Sequence, residues 1–384
     1  MRRALAAVLL ATAVAVGGAA GPAAGSPRVA AAPVAKPAIP AGTMDGCALL
    51  GNGTVKCWGS NQRGTLGTAK RGLSTIPVTV AGIANAKSLA LALAACVVLS
   101  SGQITCWGDD SEGELGRGPA SSSAPGLVKG ITNAVSVSTQ LHTCAVLKTG
   151  AIECWGKGGD GELGNGVTAN SSVPVAVKGI TNAVSVSTGA DFSCAILKDG
   201  TGRCWGGDEL GVLGNGSHKS SLVPVAVKGL TGATSISSGN GSTCALLRNG
   251  NVMCWGDNIV GQLGNGTKSD GGSSTPVRVK VVSGARTISV GGGFACSALA
   301  GGTAMCWGGG FGGELGNGKD FDNSTPVKVK GLAGAVSVWA GYGSACALLT
   351  SGAGRCWGGN RFGELGAGTQ TKDSALPLVV KGLP

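Results

Sequence analysis

Cys144-Ala145-Val146-Leu147-Lys148-Thr149-Gly150-Ala151-Ile152-Glu153-Cys154-Trp155-Gly156 decides how this chain folds, because the chain carries that stretch seven times. The other copies start at Cys47, Cys96, Cys194, Cys244, Cys296 and Cys346. In each, a second cysteine (Cys57, Cys106, Cys204, Cys254, Cys306 or Cys356) follows ten residues later, then Trp and Gly. All fourteen cysteines are used in this way. A glycine stands four residues before every second cysteine, preceded in most copies by Asn, Asp, Ser or Thr. This is the chemistry of a three-residue hairpin loop, a type I turn closed by a residue in the left-handed region. Glycine enters that region without steric cost.

The register follows by counting outward from the loop. If Lys148, Thr149 and Gly150 form it, Leu147 faces Ala151, Val146 faces Ile152, Ala145 faces Glu153, and Cys144 faces Cys154. The pair flanking the loop is hydrogen-bonded and the type alternates outward, so the cysteines meet at a non-hydrogen-bonded position, where side chains come closest. Seven disulfides are expected. The competing reading is fourteen small buried thiols, since free cysteine packs as a hydrophobe. The even count and constant spacing favour disulfides in an oxidising compartment.

Around the hairpin the rest of the unit also repeats. Six residues after each Trp stands Gly and eight after stands Leu-Gly, as in Gly211 and Leu213-Gly214; an apolar segment such as Pro224 to Gly229 follows. A Val-Ser-Val-like segment then leads into the next hairpin. Each unit thus supplies four short strands, A to D, expected in the fourth unit at 184–188, 194–197, 202–205 and 223–228. A period near fifty residues demands a repeat architecture. Seven four-stranded units read as an all-β, seven-bladed β-propeller of four-stranded antiparallel blades; a solenoid would need capping repeats, and none is visible. The expected blades are 38–82, 83–130, 131–179, 180–229, 230–281, 282–331 and 332–384. Blade one begins with a weak A strand at 38–41, interrupted by Pro40, so closure rests on packing between the first and last blades. Lysines ending the D strands (Lys129, Lys178, Lys228, Lys280, Lys330, Lys381) suit an exposed outer edge, where they discourage strand-to-strand aggregation.

The N-terminus reads as a secretory signal peptide over 1–25: Arg2 and Arg3, an apolar run at 4–16 too short to span a bilayer, then small residues. Residues 26–37, rich in Ala and Pro, read as a linker. A secreted, extracellular protein with no membrane span is expected, which supplies the oxidising setting disulfides need. The 72 glycines lack a collagen period and fit many tight turns. The formal charge of +11 is spread along the repeats without a basic cluster, which argues against a nucleic-acid groove.

In an antiparallel A-B-C-D blade, the A–B and C–D loops share one face, and they vary where the frame repeats. Candidate binding residues are Met44, Asp45, Gln140, His142, Asp191, Phe192, Asn240, Phe294 and Tyr342 in the A–B loops, and Arg361 and Phe362, with Arg63 and Phe311, in the C–D loops. Aromatic and Arg side chains are the usual energetic anchors of protein interfaces. Aromatics that merely plug the channel mouth are the competing reading. The chain has two histidines, His142 and His218. The first reads as a packed loop residue and the second as a solvated surface residue. No catalytic constellation, metal cluster or cofactor cradle is visible, and no cofactor is expected.

Trp205-Gly206 and Leu213-Gly214-Asn215-Gly216, with their counterparts, resemble the regulator of chromosome condensation repeat family, whose pattern also holds a His-Thr before the hairpin. The resemblance covers nearly everything from residue 38 onward and implies a seven-bladed propeller. Only His142-Thr143 keeps the family histidine; Asp45, Ala94, Phe192, Ser242, Phe294 and Ser344 stand there elsewhere, and the paired cysteines are a departure that fits export. The founding member is a nuclear nucleotide-exchange factor for a small GTPase, an activity a signal peptide makes inapplicable here. The family also holds a secreted inhibitor of β-lactamases. The expected function is therefore non-enzymatic binding of an extracellular protein, with inhibition of a secreted enzyme as one form. Binding or processing of carbohydrate or cell-wall polymer is the alternative, with an anionic cell-surface polymer as a second kind of partner.

Overall fold

The computed structural model describes residues 36–119, 123–370 and 372–383. The expected signal peptide and all but the last two residues of the expected linker lie outside them. The strands form seven antiparallel sheets; six have four strands in sequential order. In blade four they are strand A (Ala183–Thr188), strand B (Phe192–Leu197), strand C (Gly202–Gly206) and strand D (Ser221–Ala226). No helix occurs among the described residues.

The hairpin forms as its chemistry requires. Gly150 takes φ +87° and its N–H bonds the Leu147 carbonyl at 2.9 Å. Val146 pairs with Ile152, Ala145 with Glu153 and Cys144 with Cys154. The two cysteine Cα atoms lie 4.1 Å apart, and the sulfurs are bonded. All seven hairpins carry this disulfide, and no free cysteine remains. Blade one has three regular strands plus the segment before them, which joins strand B through bridges at Ala38–Leu49 and Ala41–Gly46. Pro40 lacks an N–H and keeps that segment from becoming a full strand.

Tryptophan closes the ring. The Trp at the end of each strand C is fully buried and donates its Nε1–H to a carbonyl of the preceding blade's C–D loop. Trp107 bonds Thr65, Trp155 bonds Glu114, Trp205 bonds Glu162, Trp255 bonds Val212, Trp307 bonds Gln262 and Trp357 bonds Glu314, all within 2.7–3.0 Å. Trp58 completes the cycle by bonding Glu364 at 2.7 Å, 306 residues away in sequence. A solenoid has no such last bond. The ring leaves each indole no slack: a Cβ on Gly214, which sits at φ +65°, would lie 2.7 Å from Trp255 Nε1.

The core is correspondingly divided into seven apolar clusters, one per seam. Cys194, Ile196 and Leu213 of blade four meet Ala245 and Trp255 of blade five. At the closing seam Ile39, Ala48 and Trp58 meet Leu348, Leu365 and Val380. A buried Trp removes about 200 Å² from water, worth about 5 kcal/mol before ordering costs. Closure by packing of the first blade on the last is thus observed. The lysines after the D strands are exposed, as expected of an outer edge.

Candidate functional site

The A–B connections are shorter than the sequence implies. Gly189 N–H bonds the Phe192 carbonyl at 2.7 Å, and in blade three Gln140 N–H bonds the His142 carbonyl at 2.8 Å. Strand B therefore begins two residues before its cysteine, and the side chain at that place turns inward between blades. Phe192 and Phe294 are 2 % exposed, Asp45 4 % and His142 0 %. These four candidates are corrected: they support the face from beneath and do not present it. A turn glycine makes room for Asp45, Phe192 and Phe294, since a Cβ on Gly189 would lie 2.3 Å from the Phe192 ring; in blade three Thr139 stands at that place.

His142 Nε2 meets Ser193 Oγ of the next blade at 2.6 Å, and its Nδ1 has no partner. Burial, then the charge of Lys157, pushes its pKa down to about 3, so the ring is neutral. Asp45 faces the opposite problem. Burial, reinforced by Glu364, lifts its carboxyl to about 7 against the pull of Thr65 and Arg63.

The other candidates do reach the surface. Tyr342 is 59 % exposed, Asp191, Asn240 and Arg361 are exposed, and Met44, Gln140 and Phe362 are half-buried. Arg361 lies over the Phe362 ring, 5.9 Å from its centroid, a cation–π contact. Among the C–D loops, Phe311 is 76 % exposed, and Arg63 pairs with Asp109 of the next blade. Leu210 and Ile259, not singled out from sequence, extend this apolar arc over blades four to seven.

Several concavities open within the loops of the described residues. The central one, about 260 Å³, is lined by the inner strands of all seven blades, from Ala41 and Thr43 round to Trp339 and Tyr342. The second, about 170 Å³, is lined by Asp160, Asp191, Asp208, Glu209, Leu210 and Asn240. Beside it Lys157 Nζ reaches Asp191 at 2.6 Å, Asp160 at 2.9 Å and Glu162 at 3.1 Å. Burial works against this ammonium, but its three carboxylates hold its pKa above the ordinary lysine value. Asp160, Glu162 and Asp191 bring ligand oxygens within 4.8 Å of one another. Lys157 already provides the positive charge they share.

Four stretches of the chain (150–196, 204–246, 249–298 and 302–348) match the family model of the regulator of chromosome condensation (RCC1) repeat; a second model of that repeat matches 233–262. Each of the four runs from the hairpin of one blade into strand B of the next and so straddles a seam. No curated protein matches the sequence. Among solved structures the chain is similar to Prp20p of Saccharomyces cerevisiae (TM-score 0.75, 22% identity, 85% of each chain), described with its binding properties to Gsp1p and histones. It is also similar to human WBSCR16 (TM-score 0.77, 19% identity, 86% of this chain and 94% of that one). A third similar structure is the ectodomain of the Arabidopsis thaliana receptor kinase ACR4 (TM-score 0.51, 20% identity, 88% and 97%). At these identities the likeness shows the fold alone.

Proposed function

We propose that this chain, a propeller of regulator of chromosome condensation repeats, is a secreted, non-enzymatic scaffold that binds another protein through its A–B and C–D loop face. The observation that carries the reading is the arc of Phe311, Tyr342, Arg361 and Phe362 on one rim, where the frame beneath repeats and these side chains do not. A rigid scaffold presenting variable loops is how a specific surface is built. Large apolar side chains held out in water on such a surface mark an interaction site. Seven buried disulfides are consistent with work outside the cell. A described binder of proteins and a receptor ectodomain among the similar folds agree with both halves of the reading. Nucleotide exchange is not proposed.

The test is capture from culture supernatant by the oxidised protein. Wild type retains a partner that Phe311→Ala/Tyr342→Ala/Arg361→Ala loses. A control on the opposite face, Lys148→Ala/Lys198→Ala/Arg248→Ala, keeps it. The reverse pattern overturns the choice of face.

A further inference from the structure

The inner strands of four blades carry a hydrogen-bond ladder built on serine, whose place is taken by Ala90 in blade two and by a tryptophan in blade seven. Ser138, Ser187, Ser237 and Ser289 occupy one place in their blades, each opposite the first cysteine of its own hairpin. Each Oγ accepts the backbone N–H of the next blade's inner strand, at Thr188, Ser238, Val290 and Ala340, within 2.9–3.0 Å. In blade seven the residue opposite Cys346 is Trp339. The chain has eight tryptophans, and the other seven are the fully buried ring-closing ones. Trp339 is half-buried, packs on the closing seam with Ala41, and lines the central cavity. Tyr342, the chain's one tyrosine, stands three residues on at the mouth of the same cavity.

The rest of the lining decides the chemistry. It contains no Asp, Glu, Lys, Arg or His; its polar groups are the hydroxyls of the inner-strand Ser and Thr residues and the amides of Gln140 and Asn240. Hydroxyls and amides both donate and accept, which matches a ligand whose own groups do both. An aromatic face offers apolar surface to a ring edge rich in C–H. A site without ionised groups gives no preference to an anion or a cation. The cavity, about 260 Å³, falls below the ~300 Å³ at which drug-sized pockets begin, so it has room for one ring and not for a long segment.

We propose that this mouth binds a neutral pyranose residue at the end of a glycan, stacked on Trp339 and Tyr342 and hydrogen-bonded by the rim amides and inner-strand hydroxyls. The inference does not rest on the protein-binding reading: the two share Tyr342, but Trp339 belongs to the cavity alone, and Phe311, Arg361 and Phe362 lie outside its lining. Trp339 supplies its own reporter. With the other tryptophans fully buried, collisional quenching by acrylamide in the native protein reads this indole. The probes are the methyl glycosides of glucose, galactose, mannose and N-acetylglucosamine, with methyl glucuronide as the charged control. At least one neutral glycoside is expected to shield the indole and to release heat on titration. The glucuronide should bind about tenfold less tightly. Trp339→Ser, which restores the residue of four other blades and so preserves the fold, should weaken the same sugar at least about tenfold in calorimetry. The proposal is overturned if no neutral glycoside shields the indole or binds. It is equally overturned if Trp339→Ser binds as tightly as wild type while shifting only the unfolding midpoint. That result makes Trp339 a wedge of the closing seam.

Discussion

Asp208→Asn should stabilise this protein, and the repeat itself supplies the reason. Three residues after the strand-C tryptophan, blades one, five and seven carry Asn61, Asn258 and Asn360. The Asn258 Oδ1 accepts the Leu263 N–H at 3.1 Å, and its Nδ2 donates to the Thr267 carbonyl nine residues on, also at 3.1 Å. Asn360 repeats both contacts with Leu365 and Thr369, each at 3.2 Å. In blade four Asp208 keeps the first contact, to Leu213 at 2.9 Å. Its Oδ2 is buried with no partner where an amide would donate. The loop is otherwise the same: Ser217 N–H bonds Asn215 at 2.8 Å, as Thr267 N–H bonds Asn265 at 3.1 Å. Burial raises the Asp208 pKa, opposed by the Leu213 N–H and by His218.

A buried acceptor left unpaired costs about 1–3 kcal/mol, and the amide adds a bond worth about 1 kcal/mol. The expected gain is about 2 kcal/mol in guanidinium denaturation under non-reducing conditions. A carboxyl with a raised folded pKa binds more protons folded than unfolded, so its contribution to stability is present at low pH and lost as pH rises through that pKa. The gain from Asp208→Asn is therefore larger at about pH 8 than at about pH 4. Equal or lower stability of the variant at both pH values would refute the reasoning. It would mean that the charge is held in place, with His218 as the partner to examine.

Two further outcomes are expected. Asp45, lifted to about 7 from 3.8, should make wild type lose up to about 4 kcal/mol between those two values as pH rises. Asp45→Ser, the residue of blades five and seven at that place, should flatten the loss in a pH series of denaturation midpoints. The disulfides are fully buried, so reductant should expose thiols to alkylation only as the protein unfolds. A hairpin-sized loop is worth about 2–3 kcal/mol per disulfide in the chain-entropy model, and reduction should lower the midpoint sharply. Alkylation of the protein unfolded in guanidinium without reductant would show that the pairs do not form.

The hairpin was legible because everything that sets it is local. Gly150, the spacing to Cys154 and the alternation of pair types fix turn, register and disulfide without reference to another blade. The start of strand B was not legible, because burial there is decided by the neighbouring blade. The place two residues before the first cysteine holds Asp45, Ala94, His142, Phe192, Ser242, Phe294 and Ser344. Such variety reads as surface, yet each side chain fills its own seam pocket, roofed by a turn residue such as Gly189. The Lys157 cluster was hidden for the same reason: Asp191 lies 34 residues away in the next blade's loop. Trp339 did leave a signal. Val338-Trp339-Ala340 aligned on Val186-Ser187-Thr188 shows one large aromatic where four blades place serine.

The closing seam is where stability and binding are best told apart. No chain continuity holds blade seven to blade one, so the seam depends on the apolar cluster around Ile39 and Leu348 and on the Trp58–Glu364 bond. Trp58→Phe keeps most of the buried ring but leaves the Glu364 carbonyl without its donor. It should cost about 1–3 kcal/mol, added to whatever space the smaller ring leaves. The same change at Trp255, inside the ring, strands the Val212 carbonyl but is flanked by blades already joined in sequence. If closure limits unfolding, Trp58→Phe should speed unfolding more than Trp255→Phe at a similar loss of equilibrium stability, in stopped-flow denaturant jumps. Equal unfolding rates would show that the seam opens no earlier than the others. Neither substitution touches the cavity mouth, so both variants should retain whatever ligand Trp339→Ser loses.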